Sequence, residues 1–183
     1  MNELGAGKIL IADPFLKDPN FFRSVILLCD HRNEGSFGFV MNRQLDQPIG
    51  ELIEALDGCS FPVYDGGPVQ KDTVHFLHQC PDLISGGTEI INGIFWGGDF
   101  EEVTELLRLN KISESMIRFY LGYSGWSDGQ LENEMKEKTW LISDGNKKLV
   151  FHNNAEMIWK DAVKQLGSEY EQIINYPADP QLN

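Results

Sequence analysis

The chain has few cations for its size: 15 Lys and Arg stand against 28 Asp and Glu, a formal charge of -13. No stretch gathers enough Lys or Arg to make a local basic stripe. A phosphate backbone is held by many cations whose binding releases counterions, so this deficit argues against DNA as a direct partner. Cysteine is scarce too, with three residues, Cys29, Cys59 and Cys80, in an odd number and without paired spacing. A disulfide framework is thereby disfavoured, and reduced thiols packed as core fillers in a cytoplasm are expected. Long apolar runs are also missing. The longest, Val25 to Cys29, is far short of the ~20 residues that cross a bilayer. The start, Met1-Asn2-Glu3-Leu4-Gly5, lacks the positive charge and apolar stretch of a secretory signal. Export and membrane insertion are not expected.

What is present is material for a core. Apolar residues make up 42% of 183 residues, including 11 Phe and 4 Trp, which excludes intrinsic disorder and suits one domain covering 1–183. Short β-branched and aromatic runs predict strands at Lys8 to Ala12, Phe22 to Asp30, Phe37 to Asn42, Phe61 to Tyr64 and Thr73 to His78. Further strands are expected at Thr88 to Ile91, Ile94 to Trp96, Met116 to Tyr123, Thr139 to Ser143 and Lys148 to His152.

Four helical patterns lie between them. The first opens with Pro48 at its first position and carries Leu52, Ile53 and Leu56. The second follows Asp99 as a cap, with Phe100, Val103, Leu106 and Leu107 on one face. The third begins at Ser127 with Ser127 and Gln130 as a capping box; the fourth repeats this with Asn153 and Glu156 and ends at Gly167 in a left-handed cap. Strands and helices do not alternate regularly, so the expected class is α+β rather than a doubly wound parallel sheet. The tail, Asn175 to Pro180, is expected to be extended, because proline disfavours helix at the preceding residue.

Several constellations invite chemistry and have plainer readings. Gly122-Tyr123-Ser124-Gly125-Trp126 resembles a nucleophile elbow, but that motif needs Gly-x-Ser-x-Gly, and here glycine follows the serine directly. A strand-to-helix turn with Trp126 packed at the helix entrance accounts for it. Cys29-Asp30-His31 and His78-Gln79-Cys80 would form a zinc tetrahedron only if their strands paired, and neither has the knuckle spacing of structural sites. His75 and His78, three apart, fall on opposite faces of a regular strand. Gly97-Gly98-Asp99 opens a helix whose first turn Glu101 and Glu102 already fill with carboxylate, repelling an anionic ligand. Arg23, in an apolar neighbourhood, needs either an internal carboxylate or an anionic ligand, the former being the commoner solution.

In order along the chain, Gly7 through Ala12, Asp18 through Val25, Gly38 through Arg43, Tyr64 through Val69, Leu77-His78, Gly93 through Asp99, Gly122 through Trp126, and Gly129-Gln130-Leu131-Glu132-x-Glu134 resemble the bacterial AlgH/YqgE-like family. The match covers nearly the whole chain. One departure is Gln44, where the family commonly has proline after Asn-Arg, which leaves the course of that turn open. The resemblance implies a mostly antiparallel, bifurcated or barrel-like sheet surrounded by about four helices. It implies little chemistry, and the label of putative transcriptional regulator that some members carry fits an indirect role better than DNA contact.

These observations lead to three expectations. The first is a cytosolic binding or regulatory protein with no cofactor or metal, its partner a protein or small molecule. Its candidate binding residues, Arg23, Asn42, Gly66, Gly67, His78, Tyr123, Trp126 and Gln130, sit at turns and strand ends and would share one surface. The second is a hydrolase or transferase using His78 as acid or base and Arg23 to hold an anion. The third, direct DNA binding, requires a basic face that the sequence does not offer.

Overall fold

The β-branched runs condense into one curled, mostly antiparallel sheet. The structure, a computed structural model, describes residues 3–177. Its strands are β1 (Lys8–Ala12), β2 (Val25–Arg32), β3 (Gly35–Val40), β4 (Gln44–Pro48), β5 (Pro62–Asp65), β6 (Val69–His78), β7 (Thr88–Ile91), β8 (Ile94–Trp96), β9 (Ile117–Ser127) and β10 (Trp140–Asp144). The helices are α1 (Ile49–Leu52), α2 (Phe100–Arg108), α3 (Gln130–Lys136), α4 (Lys147–Val150), α5 (Ala155–Leu166) and α6 (Glu171–Ile174), with 3-10 turns at Glu54–Leu56 and Ser168–Tyr170. Eight strands follow the path β10-β1-β2-β3-β9-β6-β8-β7, and β4 joins through β5. The result is the expected α+β class, with a half-barrel sheet.

The bifurcation lies along β9. One edge pairs with β6; on the other edge the first half pairs in parallel with β5 (Phe119 opposite Val63), and the second half antiparallel with β3 (Ser124 opposite Gly38). The change of partner falls at Gly122, whose φ is +65°. There the backbones of Gly66-Gly67 and Gly122-Tyr123 cross so closely that a Cβ on Gly122 would lie 2.7 Å from the Gly67 carbonyl oxygen. Only glycine permits both the conformation and the approach.

Alternation along the strands builds three cores. Ile9, Ile11, Val25, Leu27 and Cys29 face α5, packing with Ile158, Trp159, Ala162 and Val163. Leu10, Ala12, Ile26 and Leu28 face the other way, toward Trp126, Leu131 and Trp140 beneath α3. With both faces covered, β1 and β2 read as continuous apolar runs. On the second half of the sheet Phe76, Ile117 and Phe119 receive Val103 and Leu106 of α2. The Asp99 side chain caps that helix, accepting from Glu102 N at 3.1 Å.

The structure corrects some expectations. Lys148 to His152 does not form a strand: the Asn146 side chain accepts from Leu149 N at 2.9 Å and starts α4 instead. With α4 and α6 the described residues hold six α-helices rather than about four. The strand β4 carried no legible signal, being polar, bounded by Pro48 and joined to β5 only at Gln44 opposite Tyr64 and Pro48 opposite Pro62. Gln44 therefore opens an edge strand. Pro48 precedes α1 as its cap residue rather than standing first within it.

The ends of the last helices also differ. β9 runs on through Ser127, so α3 starts after Gly129 and the box is one-sided: Gln130 Oε1 accepts from Ser127 N at 3.0 Å. The cap of α5 is Asn154, not Asn153, accepting from Glu156 N at 3.0 Å. Gly167 has φ 119° and ψ 168°, an extended conformation open to glycine rather than a left-handed helical one. Asn175 and Tyr176 are not extended, since their N–H groups donate to Gln172 and Ile173 and close the last helical turn. The tail from Ala178 to Pro180 lies outside the described residues.

Candidate functional site

Two irregularities in pairing open the surface at one place. β2 bulges between Leu28 and Asp30, and β6 bulges between Val69 and Val74, opposite the Gly122 region of β9. Bulges bend a strand and re-aim its side chains. Between them lies a cleft of about 750 Å³ lined by Phe37, Val69, His75, Trp96, Tyr123 and Trp126, with Asp30, Arg32 and Glu34 among its polar residues. Phe37, Trp96 and Tyr123 also pack against the first core, so the cleft is the open end of that core.

Its walls are rings set at angles to one another. Phe37 meets Trp96 edge-on at 4.9 Å between centroids and Tyr123 edge-on at 6.1 Å. His75 lies 6.0 Å from Tyr123 and 6.2 Å from Trp96, and stands on Phe39 at 5.1 Å. The buried Nε2 of His75 has no hydrogen-bond partner among the described residues. Burial pushes the His75 pKa down, so the ring is neutral near pH 7. Arg32 is held by Asp30 at 2.9 Å, whereas Glu34 is exposed.

A second, polar cleft of about 410 Å³ lies among Gln44, Asp46, Ser60, Tyr64, Glu114, Arg118 and His152. Arg118 donates from Nη1 to the Tyr64 hydroxyl at 2.8 Å and from Nη2 to the His152 carbonyl at 3.0 Å. Burial, opposed by Arg118 and assisted by Glu114, raises the Tyr64 pKa. The phenol therefore stays protonated.

The eight sequence-selected residues do not assemble in one cleft. Tyr123 and Trp126 line the aromatic one. Trp126 also donates from Nε1 to Glu134 Oε2 at 2.9 Å, and Trp140 donates to the same oxygen at 2.7 Å. Gln130 donates to Glu134 Oε1 at 3.0 Å, so it belongs to the anchoring of α3 on the sheet. Gly66 and Gly67 form the crossing with Gly122. Asn42, in the turn after β3, holds the start of β2, its Oδ1 accepting from Val25 N at 3.0 Å and its Nδ2 donating to Arg23 O at 2.9 Å.

Among the described residues Arg23 makes no ion pair with a carboxylate. Its guanidinium carbon lies 4.6 Å from the Trp159 ring centroid, and Nη2 donates to the Tyr176 carbonyl. His78 is 0% exposed, and both ring nitrogens are engaged: Nδ1 accepts from Cys80 N at 3.1 Å and Nε2 faces the Gly97 carbonyl at 2.9 Å. That arrangement fixes a neutral ring with the proton on Nε2. Burial lowers its pKa more than the Gly97 hydrogen bond raises it. Neither His78 nor Arg23 lines the aromatic or the polar cleft. Ser124 is fully buried and donates to the Gly66 carbonyl at 3.2 Å, which is not the setting of a nucleophile.

The two Cys-x-His segments lie on β2 and at the end of β6, which do not pair, and no group of three metal-binding side chains occurs among the described residues. No helix among them is long and apolar enough to cross a membrane.

Sequence reasoning overlooked Phe37, Trp96, His75 and Arg118 as site residues. Arg118 carried a signal, a lone cation in the apolar strand Met116 to Tyr123, the same signal that drew attention to Arg23. The aromatic residues carried none, because a ring at a cleft and a ring in a core look alike in a sequence.

Comparison with known proteins agrees with this architecture. The AlgH-like family model, DUF179, matches residues 9–171. A UPF0301 protein of Chlorobaculum tepidum, CT0663, is 44% identical over 180 residues, covering 98% of this chain and 96% of the relative. A UPF0301 protein of Cytophaga hutchinsonii is 38% identical over 181 residues, covering 98% of this chain and all of the relative, at 100%. The solution structure of AlgH from Pseudomonas aeruginosa superposes with a TM-score of 0.74 at 26% identity, covering 97% of this chain and 98% of that one. The crystal structure of DIP2367 from Corynebacterium diphtheriae shares the fold, with a TM-score of 0.75 at 21% identity over 96% of this chain and 94% of that one. The family model over residues 9–171 and the full-length relatives at 38–44% identity make the chain a member of the AlgH-like, UPF0301 family.

Proposed function

We propose that this chain is a binding protein that takes a small organic cation, or a small molecule with a cationic end, into its aromatic cleft. The observation that carries this reading is the cluster of aromatic rings, Phe37, Trp96, Tyr123 and Trp126, that lines the cleft together with His75. Ring faces attract cations, and with Asp30 paired to Arg32 the exposed Glu34 and the overall charge of -13 favour the same sign. The volume falls in the range of small-molecule sites, which are mostly apolar with a few placed polar groups. Regulation by such a protein would follow from occupancy of the cleft and not from nucleic-acid contact, and its unpaired thiols suit the cytoplasm.

The test is a titration with tetramethylammonium and with neutral tert-butanol, followed by tryptophan emission and amide chemical shifts. The ammonium ion is expected to bind more tightly, with shifts centred on Phe37, Trp96 and Tyr123. Trp96→Leu should abolish binding, and His75→Leu should weaken binding of ligands that carry a hydrogen-bonding group. Equal response to both probes, or shifts away from these residues, would overturn the reading.

A further inference from the structure

The polar cleft has a different chemistry, and it centres on Arg118. This residue is 4% exposed, held on β9 between Ile117 and Phe119 of the second core. Its hydrogen-bond and ring partners among the described residues are neutral: the Tyr64 hydroxyl, the His152 carbonyl and the Tyr64 ring, whose centroid is 4.7 Å from the guanidinium carbon. Its Nε is buried and has no hydrogen-bond partner among the described residues. No ion pair among the described residues includes it. A guanidinium carries five donors and does not give up its proton, so a buried one without an anion is incomplete. Arg23 shares this feature, its Nε also being buried without a hydrogen-bond partner among the described residues, but it lies over the Trp159 ring, donates to a backbone carbonyl and lines neither cleft.

The rest of the lining selects the anion. Among the described residues Arg118 is the one Lys or Arg that lines the cleft, whereas Asp46 and Glu114 supply two carboxylates. One cation matches one carboxylate; a dianionic phosphate would face two repelling charges. A ligand that carries its own positive charge turns those two carboxylates from a penalty into partners. We infer that this cleft binds a small zwitterion of amino-acid type, its carboxylate on Arg118 and its ammonium group toward Asp46 and Glu114. The site is independent of the aromatic cleft and of the function proposed for it.

The experiment follows the Arg118 Nε–Hε resonance and backbone amides of the full chain during titration with glycine, acetate, ethylammonium and inorganic phosphate at constant ionic strength. Glycine is expected to give a saturable shift at Arg118, Tyr64 and His152 with a Kd below about 10 mM. Acetate should bind at least about three-fold more weakly, because it lacks the contact with the two carboxylates. Glu114→Gln, at an exposed position, should erase the advantage of glycine over acetate. Arg118→Lys should weaken glycine at least about ten-fold, since an ammonium cannot form the planar fork. If Arg118→Lys fails to fold, the wild-type titration and Glu114→Gln decide. No saturable shift at Arg118, or binding of phosphate or ethylammonium as tight as that of glycine, would overturn the proposal.

Discussion

The carbonyl oxygen of Gly122 occupies the place where a Cβ on Gly66 would stand, so two segments far apart in the chain touch backbone to backbone. The contact is what splits the sheet. Gly66 N donates to Leu121 O, while Gly66 O accepts from Val40 N and from Ser124 Oγ. A single residue thus joins β3, β5 and β9.

Gly122→Ala is therefore expected to cost about 2–4 kcal/mol, from the positive φ together with the overlap on Gly67 O. Gly129→Ala is the control. Its φ is +69°, but nothing lies within 4 Å of the added carbon, so only the conformational cost of about 1 kcal/mol applies. Urea unfolding of the two variants measures the difference, which isolates the crossing.

Glu134 holds α3 to the sheet through two indole N–H groups. Glu134→Ala leaves both donors without their acceptor and should cost about 2–4 kcal/mol, with a red shift of tryptophan emission. Glu134→Gln keeps an oxygen with two lone pairs and should cost less than half as much. Equal losses for the two variants would remove the carboxylate from this role.

Asn42 supplies hydrogen bonds that the backbone of β2 cannot find elsewhere at Val25 N and Arg23 O. Asn42→Ala should cost about 1–3 kcal/mol for each buried group left unsatisfied. Arg23→Ala, by contrast, removes a stacked cation and relieves little, with an expected loss near 1 kcal/mol. Thermal unfolding of both variants checks the order.

Stability should fall with acid in a window set by the histidines. Burial holds the folded pKa of His78 below its unfolded value, so below about pH 6.5 the unfolded chain takes up a proton that the folded chain refuses. This contribution is complete above that pH and is lost as pH falls toward the folded value. The slope reaches at most about 1.4 kcal/mol per pH unit from this residue, and His75, also lowered, acts in the same direction. His78→Gln should reduce the slope of urea-midpoint stability between roughly pH 6.5 and 5; an unchanged slope would assign the acid sensitivity elsewhere.

Much of the fold was legible locally. The strands Lys8 to Ala12, Thr88 to Ile91 and Ile94 to Trp96 fall where their β-branched and aromatic residues predict, and Asp99 caps α2 as its position before Phe100 requires. The polar strand β4 and the helix at Lys147–Val150 were not, because a neighbouring strand creates the one and a side-chain cap diverts the other. The candidate sites were less legible still. Tyr123 and Trp126 were singled out, yet the cleft also needs Phe37, His75 and Trp96 from three other strands.

By itself the sequence determined the α+β class, the apolar alternation that fills three cores and the glycines on which the crossing depends, since these follow from properties of single residues and their neighbours. The tertiary structure decided where β9 changes partner, that His78 is a sealed core residue and that Arg118 is buried with no ion pair among the described residues. Those outcomes depend on which distant segments meet, and the free energy of a ring or a charge is set by what surrounds it rather than by what precedes it in the chain.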